Sequence, residues 1–299
     1  MNLIKALGPS LKTNKSGGKV AMYNIFLHLF DAENYERIAS YGHKEKIISF
    51  FESIYDHINF PIESDLDQRL ELIRQECIKD PIFKEKQVNF KEGPRFDFYH
   101  QDVWPLWEND IVLESKNMIL HGPPGTGKTY SVENSIKNRL SITHGHSNNL
   151  YVLVQFHPSY GYEDFIDGIK PANLDSSGRF KFELTNGEFK KLCIQAFNEL
   201  RLAQKEGRAP KRFYFVADEI NRAELSRVFG ELLICIEDDK RLRFEKGKLV
   251  GTKVKTQNSN LWKKEHAVVV LNDEGDLSDE GSNYYFGIPD NTPYIIVIN

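Results

Sequence analysis

The stretch GPPGTGKT at residues 122–129 constrains the fold more than any other part of the sequence. It follows the short apolar run NMIL and precedes a polar segment whose composition suits a helix. Glycines in such a loop allow backbone N–H groups to close around a phosphate, and the N-terminus of the next helix adds a positive dipole. This strand–loop–helix order matches the P-loop pattern and predicts a nucleotide-binding site on a parallel, helix-covered sheet.

The residue types of the loop predict a role for its members toward a nucleoside triphosphate. Lys128 is predicted to reach the β- and γ-phosphates as a mobile positive charge, and Thr129 to offer its hydroxyl to Mg²⁺. The substrate is then ATP or GTP with Mg²⁺ as cofactor, and the sequence does not decide between the two bases. The predicted nucleotide-binding residues are Gly122, Pro123, Pro124, Gly125, Thr126, Gly127, Lys128, Thr129 and Tyr130.

A second apolar run, RFYFVADE, ends in two carboxylates. Asp218 stands where a strand of an open α/β sheet meets the ligand-binding edge, and it is predicted to hold Mg²⁺ together with Thr129. Glu219 is the predicted catalytic base that polarises an attacking water, with Lys128 in the same catalytic group. An Asp–Glu pair favours hydrolysis over phosphate transfer to another acceptor.

The last residue, Asn299, closes a further apolar run, PYIIVIN. On a strand beside the phosphate-loop strand, its side chain would orient the attacking water, which makes it a third predicted catalytic residue. At the end of the chain it could equally be frayed. The sequence leaves both interpretations open.

Periodicity divides the chain into a helical part and a part in which strands and helices alternate. Three helices are expected between Met22 and Asp80, the third starting after Ser64. Residues 84–107 have no clean period and predict an irregular, aromatic connector that packs against something. The domains predicted from this pattern of helices and strands are a flexible lead-in (1–20), a helical N-terminal region (21–97) and an α/β core (98–299).

The sequence of the α/β part predicts further strands and helices besides the phosphate-loop strand. Strands are expected at 151–156, from Arg212 and at 293–299, with a polar helix after the loop that runs through Arg139. GRFKFELTNGEF predicts a hairpin with its turn at Asn186-Gly187. EFKKLCIQAFNELRLAQKEG predicts an amphipathic helix ending at Gly207, and SRVFGELLICIEDD another helix.

Composition narrows the class of protein. The chain has 299 residues and a net charge of -4, so no global positive field attracts nucleic acid, although a local basic surface stays possible. Three cysteines without metal-ligand spacing, Cys77, Cys193 and Cys235, predict reduced buried thiols. Without a signal-peptide core or an apolar run of about 18 residues, a cytoplasmic protein with no membrane partner is expected.

Several of these blocks together resemble one family. HGPPGTGKTY, VQFHPSYGYEDFIDGIKP, DEINRAELSRVFGELL and FGIPDNTPYIIVIN are similar to the AAA+ motor of McrB-type modification-dependent restriction systems, from about residue 98 onward. The resemblance implies an AAA+ P-loop NTPase fold: a parallel sheet with helices on both faces, here after a mainly helical N-terminal region. Residues 122–129 match Walker A, Asp218 and Glu219 match Walker B, and Asn299 falls on the sensor-1 asparagine.

The resemblance also implies partners. It predicts self-association into a hexameric ring, a McrC-like nuclease subunit, and DNA reached through that complex. The family usually continues past the sensor asparagine with an arginine finger and a helical lid, and neither is found in this sequence. The chain is therefore expected to be C-terminally truncated, with its phosphate-loop strand at an exposed sheet edge and uncertain activity by itself.

Weaker patterns have competing interpretations. Arg222 and Arg227 would face a neighbouring subunit's nucleotide or be ordinary ion-paired surface residues. The lysines of 246–266, within the expected hairpin insertion 244–283, would contact DNA phosphates or form a solvated face. His157-Pro158 would shape the site or simply make a turn.

Alternative functions are a MoxR or dynein-related remodelling ATPase and a nucleotide-binding remnant that does not hydrolyse.

Overall fold

A computed structural model provides the three-dimensional structure of this chain. It describes residues 21–31, 35–38, 40–55, 57–61, 63–85, 96–108, 110–111, 116–123, 125–144, 148–174, 178, 180–291 and 294–298. The chain divides into two compact units, Met1–Val112 with Ser131–His146, and Leu113–Tyr130 with Ser147–Asn299. No helix in the described part of the chain is both long and apolar enough to cross a membrane.

The first unit is helical, as predicted. Its helices before the phosphate loop are α1 (Ala21–Phe30), α2 (Tyr41–Glu52), α3 (Leu66–Lys79), α4 (Pro81–Glu85) and α5 (Trp104–Glu108). The N-cap of α3 is Asp65 and not the predicted Ser64, because Asp65 and Gln68 form a reciprocal capping box. The predicted helix start was thus wrong by one residue.

Aromatic side chains from the connector complete the core of this unit. Phe96, Phe98 and Trp107 are about 1% exposed and pack with Phe50 and Phe51 of α2. The indole of Trp107 donates to the Phe98 carbonyl at 2.8 Å, so its one polar group is satisfied inside the core. The prediction that this irregular segment packs against something is confirmed.

The second unit contains the sheets. Its strands are β1 (Asn117–Leu120), β2 (Tyr151–Gln155), β3 (Asp167–Leu174), β4 (Phe180–Asn186), β5 (Tyr214–Asp218), β6 (Arg243–Glu245), β7 (Lys248–Val250), β8 (Val269–Leu271), β9 (Asn283–Tyr285) and β10 (Tyr294–Ile298). Helix α6 (Lys128–His144) starts at the phosphate loop, and its residues from Ser131 onward belong to the first unit. The later helices of the second unit are α7 (Tyr162–Phe165), α8 (Glu188–Glu206) and α9 (Leu225–Phe229). Helix α6 continues beyond its predicted end at Arg139.

Four strands form a parallel sheet in the order β1-β10-β5-β2. The last strand in sequence lies between β1 and β5 and pairs with both, with Ile298 in register with Leu120 and with Asp218. β1 lies at an edge of the sheet among the described strands, where the sequence placed it, and Ile119 is 74% exposed. The carboxyl ends of all four strands meet at one edge, which is where open α/β sheets bind ligands.

The predicted hairpin turn at Asn186-Gly187 is wrong. β4 pairs antiparallel with β3, which precedes it, and Gly187 is the N-cap of α8. A glycine is needed there because a Cβ would lie 2.4 Å from the Phe165 carbonyl carbon. The Asn-Gly pair therefore marks a close approach of two backbone segments and not a turn.

The predicted helix SRVFGELLICIEDD is broken. α9 ends at Phe229, and residues Gly230–Cys235 continue as a 3₁₀ helix. Gly230 has φ 49° and ψ -129°, a conformation that favours glycine and stops the α-helical hydrogen bonds. Helix α8, by contrast, ends as predicted at Gly207, whose φ of 65° is left-handed.

A fully buried ion pair holds the base of the β3–β4 hairpin. The Lys190 ammonium of α8 donates to Asp167 Oδ2 at 2.5 Å, and neither side chain is exposed. Trp262 Nε1 donates to the same oxygen and Asn258 Nδ2 to Oδ1, each at 2.8 Å. Burial lowers the pKa of Lys190 to about 8, so its charge is retained at neutral pH. The pair joins the hairpin, α8 and the segment around Trp262.

Replacing Lys190 by methionine is expected to destabilise the protein by about 3 kcal/mol, because it leaves the Asp167 carboxylate buried without its counter-charge. The measurement is the free energy of unfolding in urea. Lys191→Met is the control, since Lys191 is half exposed and pairs with Glu188 on the same helix. Equal losses in the two variants would contradict the role of the pair, whereas the double variant with Asp167→Asn should recover part of the loss.

Candidate functional site

The predicted phosphate loop connects β1 to the first turn of α6. Gly125 and Gly127 have φ values of 78° and 76°, in the left-handed region that glycine adopts without strain. Among the described residues, no atom outside their own chain neighbours lies within 4 Å of a Cβ built at either position. The glycines are therefore needed for backbone conformation, and the space beside them is open.

Two side chains hold the described part of the loop in shape. The Lys128 ammonium donates to the carbonyls of Gly122 at 2.6 Å and Pro123 at 2.9 Å. The Thr126 hydroxyl donates to the Pro123 carbonyl at 2.9 Å. An ammonium held against neutral carbonyls is available to an anion, because a phosphate oxygen is a stronger acceptor than a carbonyl. Of the predicted contact residues, Tyr130 is 74% exposed and Pro124 lies outside the described residues.

The structure brings Thr129 and Asp218 together although they are 89 residues apart. The Thr129 hydroxyl donates to Asp218 Oδ2 at 3.3 Å. Thr129 lies in the first turn of α6, and Asp218 is the last residue of β5, so both are at the carboxyl edge of the sheet. A hydroxyl and a carboxylate oxygen at this separation are suitable ligands for Mg²⁺, directly or through water.

Glu219 follows β5 in a left-handed conformation, with φ 55° and ψ 41°. A non-glycine residue pays about 1–2 kcal/mol for this geometry, and such strain is concentrated at functional sites. Arg222 Nε donates to Glu219 Oε2 at 3.1 Å, and both side chains are substantially exposed. The ion-paired interpretation of Arg222 is therefore the one seen here, whereas Arg227 is exposed on α9.

Two further sequence predictions concern the same edge. Asn299 lies outside the described residues, although the strand that leads to it lies between β1 and β5. His157-Pro158 forms a turn in which the Tyr160 N–H donates to the His157 carbonyl, in agreement with the simpler interpretation. Gln155, which the sequence did not single out, ends β2 in register with Asp218. Strand pairing, and not any local pattern, identifies it as a neighbour of the site.

The comparisons with known proteins agree with this geometry. A family model described as AAA domain (dynein-related subfamily) matches residues 117–282, more than half of the chain. The chain belongs to this family of AAA domains. The predicted fold class, a P-loop NTPase of the AAA+ type with a helical N-terminal region, is thereby confirmed.

Two curated relatives come from restriction systems. The chain is 41% identical over 128 residues to the Type IV methyl-directed restriction enzyme EcoKMcrB subunit of Escherichia coli (strain K12). The matched region covers 42% of this chain and 24% of that protein. It is 25% identical over 143 residues to the Type II restriction enzyme BsuMI component YdiS of Bacillus subtilis (strain 168), covering 43% and 40%. The resemblance to McrB-type AAA+ NTPases is confirmed, and less than half of either relative is matched.

The strain at Glu219 can be measured directly. Glu219→Gly should be more stable than Glu219→Ala by about 1 kcal/mol, because only glycine relieves the left-handed backbone conformation while both variants lack the carboxylate. The measurement is the free energy of unfolding of the two variants under identical conditions. At Glu224, where φ is -80°, the same pair of substitutions should favour alanine or show no difference. Alanine and glycine of equal stability at position 219 would show that the residue is not strained.

Proposed function

We propose that this chain is an AAA+ motor subunit that binds and hydrolyses Mg²⁺-GTP or Mg²⁺-ATP within a McrBC-like DNA restriction complex. The observation that carries the proposal is the 3.3 Å contact between Thr129 and Asp218 at the carboxyl edge of the sheet, beside the phosphate loop. It brings a hydroxyl, a carboxylate and a lysine ammonium to one place from two distant parts of the chain. This combination suits a phosphate–metal complex better than any other ligand class.

The nucleotide is held by the loop from Gly122 to Tyr130. Backbone N–H groups of the loop and the N-terminus of α6 face the phosphates, and Lys128 leaves the carbonyls of Gly122 and Pro123 to neutralise the β- and γ-phosphates. Thr129 and Asp218 hold the metal. Mg²⁺, when bound, withdraws negative charge from the phosphate oxygens that it contacts.

Hydrolysis requires a base and a correctly placed water. Glu219 accepts the proton of the attacking water, and it lies directly after Asp218 at the carboxyl end of β5. To act in this way, Glu219 exchanges its ion pair with Arg222 for the water, a small cost because both groups are exposed. Asn299 is proposed to orient the same water, and Lys128 to stabilise the charge that develops on the γ-phosphate.

The similarity to two restriction-system proteins supports the partners. The chain is proposed to assemble into a hexameric ring with further copies of itself and to drive a McrC-like nuclease subunit on DNA in the cytoplasm. The domain limits 21–97 and 98–299 are proposed for a helical N-terminal region and the motor. A remodelling ATPase of the MoxR or dynein-related kind is the second candidate, supported by the subfamily description of the matching model.

Nucleotide binding is the first test. Lys128→Ala is expected to weaken binding of Mg²⁺-GTP or Mg²⁺-ATP by a hundredfold or more, measured by calorimetric titration, since it removes the charge closest to the phosphates (about 2–3 kcal/mol per charge-assisted contact). Lys137→Ala is the control on the same helix, because Lys137 pairs with Glu133 and is exposed. Preference for GTP would favour the restriction motor, and preference for ATP the remodelling ATPase. Unchanged binding in Lys128→Ala would contradict the assigned site.

Hydrolysis needs a separate test. Glu219→Gln is expected to lower the turnover of bound nucleotide at least a hundredfold while binding is retained, because general-base catalysis contributes about 10²–10⁴-fold. Phosphate release is the readout, with Glu224→Gln as the control on an exposed carboxylate nearby. A wild-type chain that binds nucleotide without releasing phosphate, even with its partners present, would favour the non-hydrolysing alternative.

A further inference from the structure

The basic residues between Lys240 and Lys255 form a local exception in an acidic protein. The sequence KRLRFEKGKLVGTKVK contains seven lysines and arginines and one acidic residue, whereas the whole chain has a net charge of -4. It includes the hairpin β6–β7 and the extended segment that follows. A concentration of one sign of charge on an otherwise acidic protein indicates an electrostatic partner.

Some of these cations already have partners inside the protein. Arg241 is fully buried and donates to the Ile236 carbonyl and to Asn117. Lys240 pairs with Asp239 at 2.9 Å, and Arg243 pairs with Glu245 at 2.7 Å. Lys253 is half-buried and donates to the Gly251 carbonyl. These four contribute to structure or are neutralised nearby.

Three exposed lysines remain, Lys246, Lys248 and Lys255, and none of them has a carboxylate partner among the described residues. Lys246 forms the tip of the hairpin with Gly247, at φ values of 50° and 80°. This is the geometry of a type I′ turn, in which asparagine or glycine is usual at the first position. A lysine there places a charge at the tip at some cost in backbone strain.

Lys255 belongs to the same substructure. The Thr252 N–H donates to the Lys240 carbonyl at 2.8 Å, and Val254 exchanges backbone hydrogen bonds with Phe286. The extended chain from the hairpin base to Lys255 is about 10 Å long. Along the first strand of the hairpin, the length from the base to Lys246 at the tip is about 14 Å. The three lysines are distributed over at most about 24 Å, a length along which duplex DNA carries about 14 phosphates.

A polar pocket adjoins Lys255. Its volume is about 200 Å³, and it is lined by Lys255, Ser259, Asn260, Ser282, Asn283 and Tyr284. Each of these side chains can donate a hydrogen bond, and none is acidic. Asn283 also donates to Asp273 of the acidic turn that follows β8, which limits the surface on that side. The pocket has the size and the donors for a phosphate group but has only one cation.

From this arrangement we infer that Lys246, Lys248, Lys255 and the adjoining pocket form a basic surface that contacts the phosphate backbone of duplex DNA directly. The cations are distributed over the hairpin tip, β7 and the segment after it, and only Lys255 lines the pocket, which fits an extended polyanion better than a single phosphate. The inference goes beyond the proposed function, in which DNA is reached through the complex. It rests on charge and geometry outside the nucleotide site and does not require hydrolysis.

The test is the affinity of the full chain for a fluorescent 30-base-pair duplex as a function of salt concentration. Lys246→Gln, Lys248→Gln and Lys255→Gln are combined in one variant, which is expected to bind at least tenfold more weakly at about 0.1 M salt. The slope of log K against log salt should fall by about 2–3, since each phosphate contact contributes about 0.9. Free phosphate and GTP at millimolar concentration are included as competitors and should not displace the duplex.

The matched control changes the net charge equally. Lys79, Lys181 and Lys191 are exposed and each pairs with a nearby carboxylate, so their combined replacement by glutamine should leave affinity and slope nearly unchanged. Equal losses in both triple variants, or no binding of the duplex by the wild-type chain, would overturn the inference. So would displacement of the duplex by free phosphate, which would identify the pocket as a small-anion site.

Two further measurements separate this surface from the nucleotide site. The triple variant should bind Mg²⁺-nucleotide as the wild type does, and Lys128→Ala should still bind the duplex. Loss of nucleotide binding in the triple variant would overturn the separation of the two sites. Failure of the wild-type chain to bind nucleotide, with duplex binding retained, would contradict the proposed function and leave the basic surface in place.

Discussion

The position of β10 is the constraint on which the second unit depends. This strand, Tyr294–Ile298, lies between β1 and β5 and supplies main-chain partners to both, so it sets the alignment of the two halves of the candidate site within the sheet. Its contacts with β1 join residues nearly 180 positions apart in the chain. Such non-local pairing loses loop-closure entropy before any contact forms, so the strands of this edge are expected to assemble cooperatively.

The two ends of the site are held in different ways. The phosphate loop depends on glycine conformations and on hydrogen bonds within the loop itself, which are local and tolerate rearrangement when an anion arrives. Asp218 is fixed by a buried strand whose neighbours are paired along its whole length. A lysine held only by loop carbonyls, beside a carboxylate on a buried strand, suits a site that must recognise a charged ligand and hold a metal at a fixed place.

Buried charged side chains with hydrogen-bond partners occur at two places in the second unit. Asp167 is satisfied by Lys190, Trp262 and Asn258, and Arg241 by Asn117 and the Ile236 carbonyl. Each arrangement ties an irregular segment to regular elements far away in sequence: the segment around Trp262 to β3 and α8, and the segment around Arg241 to β1. Directional hydrogen bonds to a buried charge specify one arrangement of such segments, whereas apolar contacts alone would accept several. The basic hairpin β6–β7 extends from the second of these anchors.

The P-loop, the strand that ends at Asp218, the helix that ends at Gly207 and the resemblance to the family could all be predicted from the sequence, because they depend on local residue types and periodicity. Tertiary structure alone decided that Gly187 begins a helix, that Gly230 breaks one, and that Gln155 is in register with Asp218. Gly187 is required by close backbone approach, Gly230 adopts a conformation that favours glycine, and Gln155 is placed by strand pairing, none of which a local pattern encodes. The buried partners of Asp167 and Arg241 could not be predicted either, because the sequence does not show whether a charged residue is solvated or buried.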